Sequence, residues 1–355
     1  MRYVFRFGLI VLFVATCVLA AWQSRTLAQM RRTAVPETSS AYTADVPPGL
    51  NFLLVGLGGF RGVAAEVLWF RAARLQEQGR YLELVQLARW ITLLDPHAAE
   101  NWAYNAWNLA YNISVMMNRP EDRLRWVLNG IALLRDDGLR YNPKSARLYR
   151  ELAWLFQNKI GDAQDSAHLT YKFYLAESMK PFVQTNGCVK ISAAARQGLG
   201  ALRMDLDRMV AMEKEFGPID WRLAPTHALY WALQGIPFAT GPDKFLALNA
   251  ACQPLVMLSF QGRFVGDFEK KAWRTAANPR VAVAAAKYMI DALNQENTAV
   301  QREITVKYLV FAIRMLVKEA DLSAAHQLYA QLTSILPAGE QPPSFDEVVS
   351  GGEAF

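Results

Sequence analysis

The sequence predicts an all-α protein, a solenoid of antiparallel helical hairpins behind an N-terminal membrane-anchoring helix. Three observations predict it. Gly79–Pro96 (GRYLELVQLARWITLLDP) and Ala320–Pro337 (ADLSAAHQLYAQLTSILP) echo each other, each running from a small residue to a closing proline. Their side chains Leu84, Ala88 and Ile91, and Ala325, Tyr329 and Leu332, fall at spacings of four and three, on one face of a helix. The triplets Leu68/Ala72/Leu75, Trp102/Ala106/Leu109 and Tyr149/Ala153/Phe156 repeat a large–small–large pattern, whose small middle residue lets two helices approach closely. No run alternates β-branched with polar residues, so no strand is expected.

The first 28 residues form the anchor. Arg2 and Arg6 precede an uncharged run, Phe7–Trp22, and Arg25 follows it. Sixteen helical residues rise about 24 Å, short of a bilayer core unless the flanking arginines snorkel. The run reads as an uncleaved signal anchor; a cleaved signal peptide and an ordinary buried helix are the alternatives. An anchor of this kind places a single-pass protein in the inner membrane with its body on the extracytoplasmic side. Residues 29–49 are a linker, closing in TAVPETSSAYTADVPPG at 33–49, with prolines and hydroxyls but no apolar period. The glycines from Gly56 to Gly62 miss the spacing of a dinucleotide loop, because Arg61 stands where the third glycine belongs. They suit a closely packed helix start.

Helical hairpins are expected over 50–181. They comprise 61–78 with Gly79–Pro96, Ala99–Ile113 with a helix ending near Tyr141, and Ala146–Asp162 with a helix ending at Lys180. Residues 182–280 are helical but irregular, with helices expected at Ala193–Phe216, Pro225–Gln234 and Lys244–Gln261. Val281–Asn294 and Val300–Glu319 lead into the last repeat-like helix over 281–337, and 338–355 reads as a frayed tail.

The hairpin residues resemble the tetratricopeptide repeat family, whose first helix carries aromatic, small and aromatic residues and whose second closes on proline. The resemblance covers Ala65–Pro181 and Val306–Pro337 and departs in period. Pro96 to Pro143 is 47 residues and Pro143 to Pro181 is 38, against 34 in the family. The surplus is expected around Met116–Asp122. By matching positions, the family's concave groove would receive Glu66, Trp69, Gln76 and Glu77, then Glu100, Trp107 and Tyr111, then Arg147, Arg150, Trp154, Gln157 and Asn158. Such a groove would hold a protein or peptide partner, because Trp, Tyr and Arg supply much of the energy of interfaces. The alternative is that the chain's own later helices fill the concavity and make these rings core.

Charge and side-chain chemistry narrow the function. The net charge is +6, yet Arg2, Arg6, Arg25, Arg31 and Arg32 supply the excess, leaving 33 basic against 32 acidic residues elsewhere. A near-neutral body argues against nucleic acid. Cys188 and Cys252 are either bridged or buried thiols, and no spacing suggests a disulfide framework. His97, His168, His227 and His326 stand singly, so no metal and no cofactor is expected. No nucleophile elbow or phosphate loop is present. Asp220-Trp221-Arg222 is the most enzyme-like trio, with a helix-capping turn as its plain reading. The expected function is a non-enzymatic, membrane-anchored scaffold for protein–protein interaction in the cell envelope, such as an accessory subunit of a transport or assembly machine. An envelope glycan- or lipid-acting enzyme with an acid pair in the central region is the alternative.

Overall fold

The computed structural model describes Thr16, Trp22, Gln23 and residues 61–267, 272–337 and 341–351. The expected anchor, apart from those first three residues, the linker and the glycine-rich opening lie outside the described residues. Among the described residues no helix is long and apolar enough to cross a membrane. The chain divides after Asn101 into two compact units.

In the first unit, α1 (Arg61–Glu77) and α2 (Tyr81–Leu94) pack as a hairpin about a three-residue turn. The turn is closed by the Arg80 amide donating to the Leu75 carbonyl at 2.9 Å. Ala72, Leu75, Leu84, Leu87 and Ile91 form its core, with Leu68 and Trp69 packed against them. The small–large face legible in the sequence is thus the face that is buried.

Three helices of the second unit are longer than a regular hairpin needs, and each contains a π turn. α3 runs over Ala99–Trp107 and continues through a π turn, Asn108–Ile113, to Ser114–Met116. α4 starts at Pro120, passes through a π turn at Leu133–Gly138 and ends at Tyr141. α5 runs over Ala146–Trp154 and ends in a π turn, Leu155–Ile160. The surplus repeat length therefore sits inside the helices, not in the Met116–Asp122 link, where only Met117–Arg119 is non-helical. A π turn inserts a residue into the hydrogen-bond ladder and shifts every later side chain around the axis. α3 and α4 still approach as closely as the pattern required. A Cβ on Gly130 would lie 2.8 Å from the Ala106 carbonyl oxygen, so the second helix needs glycine where the first offers alanine.

α6 (His168–Met179) follows, and then the structure departs from expectation. The helix expected over Ala193–Phe216 is two, α7 (Ala193–Ala201) and α8 (Leu206–Phe216). Arg203 takes a left-handed backbone angle, φ 55°, and Asp205 caps α8 by accepting from the Arg208 amide at 2.8 Å. α9 (Ala224–Gly235) is the centre of the second unit. Thr226, His227, Ala228, Leu229, Tyr230, Trp231 and Ala232 are consecutive and all buried, so the middle of this helix is enclosed on every side. It packs against α5 on one side and against α10 (Pro242–Gln261) on the other. The broad partner of α5 is therefore α9, rather than the next helix in sequence. α11 (Ala282–Gln295), α12 (Ala299–Lys318) and α13 (Leu322–Ile335) continue from α10, each packed on its predecessor.

Two further corrections follow. β1 (Arg263–Asp267) and β2 (Ala272–Ala276) form an antiparallel hairpin, pairing Phe264 with Thr275 and Val265 with Arg274. The expected frayed tail carries α14 (Phe345–Ser350), opened by a capping box between Ser344 and Glu347. Tyr329 donates to the Pro343 carbonyl at 2.7 Å, Arg314 donates to that of Val348 at 2.7 Å, and the Phe345 ring stacks 4.1 Å from His326. The segment from Pro343 to Val348 is docked on α12 and α13. Cys188 and Cys252 are unpaired buried thiols; burial first, then nearby carboxylates, push them up to about 11 and about 12.

Burial also gives the centre a pH response. His227 is buried, its Nε2 lies 2.9 Å from the Trp221 carbonyl oxygen, and its ring stacks 5.1 Å from Phe156. Burial pushes its pKa down to about 4, against the opposing pull of that carbonyl. The unfolded chain, with a histidine near 6.5, then binds the proton first, so stability is complete above about 6.5 and falls as pH drops toward 4. Urea titrations at pH 7 and pH 5 should show His227→Gln losing about 2 kcal/mol less on acidification than the natural chain. An equal loss in both would show that His227 stays accessible to protons.

Candidate functional site

α3 and α5 meet through their π turns, and their outer surfaces carry the aromatic residues singled out in the sequence. Trp107, the last residue before the π turn of α3, is 41% exposed, and Trp154, at the corresponding place on α5, is 45% exposed. Such exposure is unusual for indoles flanked by buried neighbours, and it leaves a large apolar surface in water. Tyr111 lies one turn beyond Trp107, with ring centroids 5.7 Å apart and planes 27° from parallel. Val115 continues the stripe and is half exposed.

A charged cluster supports this face from behind. The Lys159 ammonium lies 5.0 Å from the centre of the Tyr111 ring and 2.5 Å from the Asp165 carboxylate, with both charged side chains buried. Asp165 also accepts from the Tyr171 hydroxyl at 3.1 Å, the Ala167 amide at 2.9 Å and Arg123 at 3.3 Å. Burial pushes the Asp165 carboxyl up. The Lys159 hydrogen bond, the Ala167 amide and Tyr171 outweigh it and hold the group below its usual range. Burial raises the Tyr111 phenol to about 12, with Glu151 and Asp162 adding to the rise and the Trp154 indole opposing it. The Trp154 indole therefore lies beside the hydroxyl, which still makes no hydrogen bond of full geometry. Two other buried polar atoms near the meeting of the π turns, Asn108 Nδ2 and Gln157 Oε1, also lack one. Each such atom costs on the order of 1–3 kcal/mol.

The remaining residues of the expected groove are placed as follows. Glu66 is exposed and Trp69 half-buried on α1, in the first unit, where Gln76 is half-buried and Glu77 exposed. Glu100 is exposed at the start of α3. Arg147 is exposed at the first turn of α5, and Asn158 is half-buried with its amide 3.5 Å from the Trp154 carbonyl. Gln157 is buried rather than presented. Arg150 turns to Asp243 at the start of α10, 3.9 Å away, so it braces the body. The structure thus brings Trp107, Tyr111 and Trp154 together. Sequence matching missed Lys159 and Asp165, which hold this group in place. The signal available was a lysine in a helix end that carries no other charge, LFQNKI, followed by an aspartate six residues on.

The central trio is a structural clamp. Arg222 donates twice to the Asp220 carboxylate, at 2.8 and 2.6 Å, and Thr226 donates to the Asp220 carbonyl at 2.6 Å. Gly187, at φ 86°, lets the chain pass directly against that carboxylate, where any Cβ would collide with it. Trp221 is fully buried and donates to Glu213 at 2.7 Å, and the Val189 amide donates to the same oxygen at 2.7 Å. Both acids are therefore engaged by fixed donors. Among the described residues no group of three or more His, Cys, Asp or Glu is placed to hold a metal ion. Comparison with protein-family models and with curated proteins returns no match.

Proposed function

We propose that the chain is a non-enzymatic helical scaffold that holds a protein or peptide partner on the face formed by Trp107, Tyr111 and Trp154. In this reading its hairpins are tetratricopeptide-like, α1 with α2, α3 with α4, and α12 with α13. Residues 1–28 tether it to the inner membrane with the body on the extracytoplasmic side, as an accessory subunit of an envelope transport or assembly machine. One observation carries the proposal. Two indoles on adjacent helices stay 41% and 45% exposed while their neighbours are buried, around a phenol whose hydroxyl is left without a good partner. A rigid aromatic surface of this kind is what interface hot spots are made of. The support beneath it is preorganised, because Lys159 and Asp165 fix the Tyr111 ring before any partner arrives.

A photoreactive amino acid placed at 107 should give one dominant adduct in native membranes. The same group at Leu322, an exposed position on α13, should not give it. Trp154→Ser should weaken capture about 30-fold, the scale of an interface hot spot, with the helical circular dichroism unchanged. Equal adducts at 107 and 322, or capture indifferent to Trp154→Ser, would remove this face from the function.

A further inference from the structure

We infer that the group received by this face is cationic: an arginine of an extended partner segment, laid against the indoles of Trp107 and Trp154 with its charge toward Glu151. The inference rests on the partner-holding reading above and adds the chemistry of what is held.

The ring surfaces come first. Tyr111 is already engaged by the stacked Trp107 ring and by the Lys159 ammonium 5.0 Å from its centre. The exposed aromatic surface that remains is indole. Indole has the strongest attraction of the aromatic side chains for a cation, and the planar guanidinium stacks on it.

The charges point the same way. Residues 102–116, which form α3 within the second unit, contain no charged side chain. Behind the face, Lys159 is buried and turned inward to Asp165, which it shares with Arg123, and Arg150 on α5 lies 3.9 Å from Asp243. Glu151 has no ion-pair partner among the described residues, and its field, like that of Asp162, reaches Tyr111. Glu151 precedes Trp154 by less than one helical turn, about 4.5 Å of rise, whereas Arg147 stands about 10 Å away along the axis. An anionic segment would meet Glu151 and Asp162 at close range. A neutral one would leave the Glu151 charge unused. A guanidinium satisfies both ring and carboxylate.

The test uses the full chain in detergent and two fluorescein-labelled ten-residue peptides of glycine, serine and leucine. One carries a central arginine, and its twin carries citrulline, which has nearly the same shape without the charge. Fluorescence anisotropy should show the arginine peptide binding about fivefold to tenfold more tightly. Glu151→Gln should bring the two within about twofold of each other, and Trp154→Leu should weaken both. Raising salt from about 0.05 to about 0.5 M should weaken only the arginine peptide. Equal binding of the twins to the natural chain, with both lost in Trp154→Leu, would overturn the inference and leave the partner-holding reading standing. Binding of neither peptide also overturns it, and crosslinking at 107 then decides the partner-holding reading separately.

Discussion

Replacement of Asp165 by alanine is expected to destabilise the protein by about 3–5 kcal/mol, the scale of a buried ion pair broken on one side. The reason is the partner left behind. Lys159 has 4% of its side chain exposed and an ammonium 2.5 Å from the Asp165 carboxylate. Without Asp165 that charge would stay out of water with only the Tyr111 ring to face. Tyr171 would lose the acceptor of its 3.1 Å hydrogen bond as well. Urea unfolding followed by circular dichroism measures the loss. The double variant Lys159→Met, Asp165→Leu should recover part of it, because an apolar pair removes the stranded ammonium while Tyr171, Ala167 and Arg123 still lack their acceptor. The acid side supplies a sign. The folded Asp165 carboxyl is held below its ordinary value, so its contribution is present above about pH 4 and is lost as pH falls through the lower folded value. The natural chain should therefore lose more stability than Asp165→Asn on acidification below about pH 4. A loss under about 1 kcal/mol in Asp165→Ala would mean that the Lys159 ammonium reaches water and that the aromatic face has no rigid support.

Trp221→Ala should cost a comparable amount, about 3–5 kcal/mol, through the cavity left by a large core side chain. Trp221 is fully buried, with Tyr230 at 6.0 Å and His227 at 6.1 Å in edge contacts. Its indole also satisfies half-buried Glu213, so the variant leaves that carboxylate short of a donor. Trp221→Phe separates the two effects. It keeps most of the volume and removes the N–H with two ring carbons, and should cost about 1–3 kcal/mol. Differential scanning calorimetry of the pair reads both. If Trp221→Phe were as damaging as Trp221→Ala, the hydrogen bond rather than the packing would dominate this centre.

Much of the helical order was legible because local signals and burial agreed. Leu84 and Ile91 are fully buried and Ala88 nearly so, and Ala325 and Leu332 are buried in the echoing helix. Pro120 and Pro242 sit at helix starts, where a missing amide costs nothing. Trp107 and Trp154 were placed in the groove by matching positions to the tetratricopeptide repeat, and both are exposed. Gln157 was expected to be presented and is buried, and Arg150 was expected in the groove and braces α10. Both lie where the periodic reading breaks down, near a π turn and opposite a helix distant in sequence. The β1–β2 hairpin was missed because its strands are short and mix arginine, glycine and small residues without clear alternation.

The sequence by itself determined that the described chain would be mainly helical, and which face several of its helices, such as those of Leu84 and Leu332, would bury. Those properties follow from backbone chemistry and from the 3.6-residue period, which act between residues close in the chain. Only the tertiary structure decided that α9 is the centre of the second unit, that Lys159 finds Asp165, and that two indoles on contacting helices remain exposed about Tyr111. These outcomes depend on contacts between distant segments, and π turns alter the phase of a helix without leaving a periodic trace in its residues.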